Sequence, residues 1–204
     1  MNMIDILADA QDGSCLENLG RHHQLTPSQV QDCARLVKPV ISRQINDLLL
    51  TDDGTDIVLH ALADPAVRLV QTDPRTFSDP AVRQTGEALL RQLARNDIDP
   101  WGMIDNIARS AQVSRQALHA MMPHLSLLFV GAIRQQLAPV FRKVLIRYQP
   151  DDAATDPFVF VRENVARLRT STPSPAIGWL DTILSRTTSD RDAEPENTTD
   201  TTYR

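Results

Sequence analysis

The sequence predicts an all-α protein, a single multihelical array followed by a disordered C-terminal tail. Three observations carry that expectation. Apolar residues recur at spacings of three and four through most of the first 168 positions. Glycine, at 7 residues, and aromatics, at 4%, are scarce, so the core must be built from Leu, Ile, Val and Ala. Beyond position 168 the chain turns to Ser, Thr, Pro, Asp and Glu, which bury too little to offset the entropy of ordering. Residues 1–168 are thus expected to form one domain and residues 169–204 a flexible acidic tail.

The elements follow in order. Residues 3–10 read as a first helix, closed near Asp12-Gly13, where glycine tolerates a left-handed backbone. Leu16 and Leu19 open a second. Thr26-Pro27-Ser28-Gln29 is a helix start, with Thr26 as cap, Pro27 in the first helical position and Gln29 completing a capping box. Val30, Cys33, Val37, Val40, Ile41 and Ile45 then line one face, and Pro39 inside that run predicts a kink or break. Residues 51–55 read as a turn, Ile57, Val58, Ala61 and Leu62 as a short helix ended by Asp64-Pro65, and residues 67–70 as an apolar patch. Asp73-Pro74 and Asp79-Pro80 punctuate a loop that Phe77 pins to the core. A helix over 80–95 presents Val82, Leu89, Leu90 and Leu93. Another starts at Pro100 and includes Trp101, Ile104 and Ile107, and Ser114 caps its successor. Residues 123–148 read as the longest helix, with one broad apolar face from Leu125 to Tyr148 and a kink at Pro139. Residues 158–168 read as the last helix.

A shift of 88 places Leu16, Leu19, Leu25, Thr26, Val30, Cys33, Val37, Ile41 and Ile45 on Ile104, Ile107, Val113, Ser114, Leu118, Met121, Leu125, Phe129 and Ile133 without a gap. Asn18, Arg21 and Gln24 match Asn106, Arg109 and Gln112 as well. Two readings stand: an internal pseudo-repeat of helical hairpins packed face to face, or the periodicity that any two helix-turn-helix units share.

The net charge of −5 is unevenly placed. Residues 1–150 hold 15 basic and 16 acidic groups, and residues 151–204 hold 6 and 10, so the acidity belongs to the tail. No acidic residue lies between Asp105 and Asp151, whereas Arg109, Arg115, Arg134, Arg142, Lys143 and Arg147 do; pairing with Asp47, Asp52, Asp53 and Asp56 of the first hairpin would neutralise that stretch. The opening residues show no export signal, and the longest unbroken apolar run, residues 127–133, is far short of the ~20 needed to cross a bilayer. A soluble, cytoplasmic protein with no membrane contact is expected. Cys15 and Cys33, the only cysteines, read as reduced, buried thiols.

Four groups of residues carry side chains capable of chemistry or recognition. The stretch over 104–122 reads like a DNA-binding helix-turn-helix, with Arg115, Gln116 and His119 facing the major groove and Arg109 a phosphate. Against it stand Gln112 where a turn glycine is usual, and the acidic total. Asp53, Asp56 and His60 share one side of a helix, though acidic residues at a helix start serve as caps or dipole partners far more often than as catalysts. His22-His23 with Cys15 and Cys33 reproduce no zinc-ligand spacing and read as surface histidines and core thiols. No phosphate-binding, dinucleotide, nucleophile-elbow or H-E-x-x-H motif occurs. No catalytic, cofactor or metal site is therefore expected. The remaining group lies in the tail, an amphipathic island near 176–184 in which Ile177, Trp179, Leu180, Ile183 and Leu184 suit a groove on a partner protein or on the chain's own body.

Taken together, Met3-Ile-Asp-Ile-Leu7 with Gln11-Asp-Gly13, Leu25-Thr-Pro-Ser-Gln-Val30, Asp73-Pro-Arg-Thr-Phe77, Gly86-Glu-Ala-Leu-Leu90, and Val113 to Leu118 followed by Met121-Met-Pro-His-Leu125 resemble, in their order, the YidB-like family, a bacterial domain of unknown function. The resemblance spans residues 1–147. It implies an all-α array and a non-enzymatic cytoplasmic protein, and brings no functional residues with it. The chain departs from the family pattern in lacking a glycine-rich end and in carrying Arg91 and Ala94 where small residues are usual. The functional expectation is a non-catalytic interaction or scaffold protein with an unidentified protein partner or a second copy of itself. A DNA-binding regulator is the alternative.

Overall fold

The computed structural model describes residues 3–94, 104–149 and 155–171, with side chains to 168. These residues form an all-α array: α1 (Met3–Asp9), α2 (Cys15–His23), α3 (Pro27–Leu48), α4 (Asp52–Ala63), α5 (Pro65–Thr72), a 3-10 turn (Pro74–Ser78), α6 (Pro80–Leu93), α7 (Ile104–Ser110), α8 (Arg115–Tyr148) and α9 (Pro157–Ser171). The tail residues Ile177, Trp179, Leu180, Ile183 and Leu184 lie outside the described residues, as do Pro100 and Trp101.

Local chemistry explains where the helices begin. Thr26 accepts from Gln29 N, and the Gln29 side chain accepts from Thr26 N, closing the capping box over Pro27. Four Asp-Pro pairs do the same work more simply. Asp64, Asp73, Asp79 and Asp156 each accept from the backbone N–H two residues on, at 2.8–2.9 Å. The proline that follows occupies the first position of α5, the 3-10 turn, α6 and α9, where its missing N–H is no loss. The residues read as an isolated patch at 67–70 thus belong to α5. Thr51 likewise caps α4 through Gly54 N, so residues 52–55 are the helix's first turn and not a separate turn.

The main departures from expectation concern proline. α3 runs unbroken through Pro39. The helix capped by Ser114 does not stop before Pro123: it continues as α8 to Tyr148, through both Pro123 and Pro139. A proline inside a helix costs roughly 3 kcal/mol. Burial outweighs that here, because α8 touches each of the other eight helices and every residue from Met121 to Ile133 is buried, whichever way it points. The single broad face anticipated for this helix holds only further on, at Leu137, Phe141 and Leu145. α8 is long and apolar enough to cross a membrane, but most of its apolar stretch is enclosed by protein.

Polar side chains tie other helices to this axis. Gln11, left-handed at φ 53°, donates from N to Gln71 O and from Nε2 to Val70 O, and accepts from Asn18. Gln71 donates to Leu128 O on α8 and accepts from Gln135. Arg134 donates to Leu62 O on α4 and pairs with Asp156 before α9, with its guanidinium 4.3 Å from the Phe158 ring centre. Within the basic stretch Arg134 pairs with Asp156 and Arg115 with Asp105, and Asp47 of the first hairpin meets Arg43 on its own helix. Cys15 and Cys33 are free, buried thiols; burial pushes Cys15 up to about 12 and, with the Asp32 charge adding to it, Cys33 to about 11.

The positions aligned by the 88-residue shift share geometry as well as periodicity. Gln24 and Gln112 both adopt left-handed backbone, at φ 57° and 53°. Leu25 N donates to Gly20 O and Val113 N to Ala108 O, at 2.8 and 2.9 Å. The buried residues of α3 (Val30, Cys33, Val37, Ile41, Ile45) correspond to buried residues of α8 (Leu118, Met121, Leu125, Phe129, Ile133). The two turns also meet: Gln29 Nε2, freed by the capping box, donates to Gln112 O at 3.0 Å. Both turns put a glutamine where a helix C-terminus usually takes glycine, at a cost of roughly 1–2 kcal/mol each.

Candidate functional site

Three histidines meet where α2 ends against α8. α2 brings His22 and His23 in its last turn, just before left-handed Gln24. α8 brings His124 from near the start of its enclosed stretch, and the 3-10 turn adds Phe77 and Ser78. One ligand atom from each of His22, His23 and His124 can be chosen so that all three lie within 4.8 Å of one another. The closest approach is His23 Nε2 to His124 Nδ1, at 3.1 Å. The His22 ring stands edge-on to both others, with centroids 4.7 Å from His23 and 5.5 Å from His124. The Phe77 ring closes the apolar side, 5.4 Å from His124.

Burial is graded across the trio. His124 is 1% exposed, His23 is half-buried and His22 is exposed. Burial therefore pushes His124 down to about 4, helped by the charges of His22 and Arg83. It pushes His23 to about 3, helped by His124, His22 and Arg83. His22 is lowered too, by burial first and then by Arg83. Arg83 is itself paired with Glu87 at 2.9 Å. At neutral pH these are uncharged imidazoles with lone pairs available.

This has a consequence for acid stability in chelator-treated protein. Histidines with lowered folded pKa values take up protons in the unfolded chain first. Their contribution is intact above about 6.5 and is lost as pH falls toward their folded values. His23 and His124 should each remove on the order of 1 kcal/mol per pH unit below 6.5, and exposed His22 less. Urea unfolding at pH 7 and pH 5 checks this; equal stabilities, or a pH dependence unchanged in His124→Gln, would contradict it.

From sequence His22 and His23 read as surface side chains; the structure instead gathers them with His124, which no motif marks. Residues 101 apart carry no local spacing signal. One signal was present: His124 is the lone titratable group in the stretch from Met121 to Ile133.

The other candidates lie apart. Around the α7–α8 turn, Arg109, Arg115, Gln116 and His119 are all exposed. Ser114 caps α8 through Ala117 N, and Arg115 Nε meets Asp105 Oδ1 at 3.3 Å. Asp53 sits in the first turn of α4, and exposed His60 Nδ1 lies 2.8 Å from Asp56 O, a contact within one helix. An apolar cavity lined by Ile45, Leu62, Leu93 and Val130, among others, has a volume of about 10 Å³, room for one water and not for a substrate.

Comparison with protein-family models, with curated proteins and with solved structures finds no match to this chain.

Proposed function

We propose that the protein works by binding another protein, without catalysis of its own, as a cytoplasmic helical scaffold. The observation that carries this reading is how its interior polar groups are used. Gln11, Gln71 and Arg134 are each committed to backbone carbonyls of neighbouring helices, which suits a rigid platform. The amphipathic segment with Ile177, Trp179, Leu180, Ile183 and Leu184 follows α9 in sequence and has the spacing of a helix that fills a partner's groove. The YidB-like resemblance, taken as a proposal of kinship, fits the same reading.

The test compares the full chain with Leu180→Asp/Ile183→Asp as bait in an extract of the source cells. A protein held by the first and lost from the second is expected, with the two baits melting at the same temperature. Identical captured sets would overturn the reading. So would a lower melting temperature for the variant, which would assign the segment to the chain's own body.

A DNA-binding role is the second reading, favoured by one observation. The α7–α8 turn has the left-handed residue and capped second helix of a helix-turn-helix, with Arg109, Arg115, Gln116 and His119 exposed around it. Fluorescence anisotropy with mixed-sequence duplex DNA decides it. Binding that weakens steeply with salt, and further in Arg115→Ala, would favour DNA; no binding at low salt would remove it.

A further inference from the structure

We infer that His22, His23 and His124 form a binding site for a divalent cation of the zinc type, held by three imidazoles with one coordination position left over. This inference is independent of the partner and DNA readings.

The argument begins with the facing nitrogens. Two nitrogens on a tetrahedral ion with bonds of about 2.0 Å stand roughly 3.3 Å apart. His23 Nε2 and His124 Nδ1 are at 3.1 Å, so this pair already has the spacing of two ligands. The third ligand must close from within 4.8 Å, and it belongs to His22, the exposed and least constrained of the three.

The alternative is a set of packed histidines retained only to join α2 to α8. Such a core histidine is expected to bond through both ring nitrogens. His124 does not: at 1% exposure its Nδ1, the nitrogen that would take the ion, meets only another imidazole, and its Nε2, which would carry the ring proton, has no hydrogen-bond partner among the described residues with or without an ion. Burying a polar ring so poorly satisfied in an otherwise apolar stretch costs stability that Leu or Phe would not, so structural economy does not explain it.

The surroundings favour a cation on balance. The α2 carbonyl end directs its negative dipole at the last-turn histidines. Arg83 opposes a positive charge there, but Glu87 pairs with it. Three imidazoles without thiolate or carboxylate select a borderline metal (Zn²⁺, Co²⁺, Ni²⁺ or Cu²⁺) over Mg²⁺ or Ca²⁺. Entry is from the His22 side, and the leftover position would hold water or an exogenous ligand.

The test uses the full chain, stripped with chelator and titrated with Zn²⁺ by calorimetry at pH 7.5, with Co²⁺ absorption as a second probe. One equivalent should bind, with the strong visible bands of tetrahedral cobalt. His22→Ala, exposed and so benign to the fold, should weaken binding at least tenfold, and His124→Gln should abolish the tetrahedral bands. His60→Ala/His119→Ala, which removes the other two histidines, should bind as the parent does. No binding by the parent overturns the proposal. So does loss of binding in His60→Ala/His119→Ala, or unchanged affinity and bands in either His22→Ala or a folded His124→Gln.

Discussion

Gly86→Ala should destabilise the protein by about 3 kcal/mol or abolish folding, although a single methyl is added to a helix interior. The sign is not obvious, because alanine is the better helix former by roughly 1 kcal/mol. Tertiary geometry reverses it. A Cβ on Gly86 would lie 2.3 Å from Pro123 O, 2.7 Å from Pro123 C and 2.9 Å from its Cα. All three are backbone atoms, so no rotamer change relieves the clash, and α6 must move away from α8. That movement would strip Val82, Leu89, Leu90 and Leu93 of their packing. Ser126, which donates to Pro123 O at 2.8 Å, sits at the same crossing and would be displaced with it. Urea unfolding is the measurement, with Gln84→Ala on the exposed face of α6 as the control expected to be near neutral. A Gly86→Ala stability within about 1 kcal/mol of the parent would show that the two helices can separate cheaply.

What could be read from sequence here divides by the range of the interaction concerned. The capping box at Thr26 and the all-α class depend on neighbours a few positions away, and those residues announce them. Asp64-Pro65 was legible as the end of α4, yet the same aspartate also starts α5, a double use that punctuation alone does not reveal. Pro123 misled for the opposite reason. Its local cost is real, but it is overruled by helices that enclose α8 from every side, and no window of sequence contains them. Gln112 was counted against a helix-turn-helix because it is not glycine, yet it takes the left-handed conformation that glycine would. The histidine site is the extreme case. His22-His23 and His124 form one cluster only because the end of α2 lands on the third turn of α8, and recognition required the fold.

Arg134→Ala should cost about 3 kcal/mol, the second large effect, because one side chain joins three helices. Its guanidinium donates to Leu62 O, among the last carbonyls of α4 with no partner inside that helix. It also pairs with Asp156, whose other oxygen caps α9 through Phe158 N at 2.9 Å, and it lies over the Phe158 ring. Truncation leaves a carbonyl and a carboxylate without their donor and removes a cation from an aromatic face. The pair is largely shielded from solvent, so added salt should recover little of the difference. Arg134→Lys should fall in between, since an ammonium keeps the charge but cannot reach both acceptors in the same plane while stacking on the ring. Denaturation of the parent and both variants, combined with Asp156→Asn in a double-mutant cycle, separates the ion pair from the rest. If Arg134→Lys matches the parent, the planar geometry contributes nothing and charge alone holds α9. Hydrogen exchange adds the spatial readout: protection in α9 should fall in Arg134→Ala, while α2, which packs mainly on α1, α3, the 3-10 turn and α8, keeps its own. Because the segment proposed to engage a partner continues from α9, the same variant should weaken capture of that partner through a looser anchor, with Leu180 and Ile183 intact.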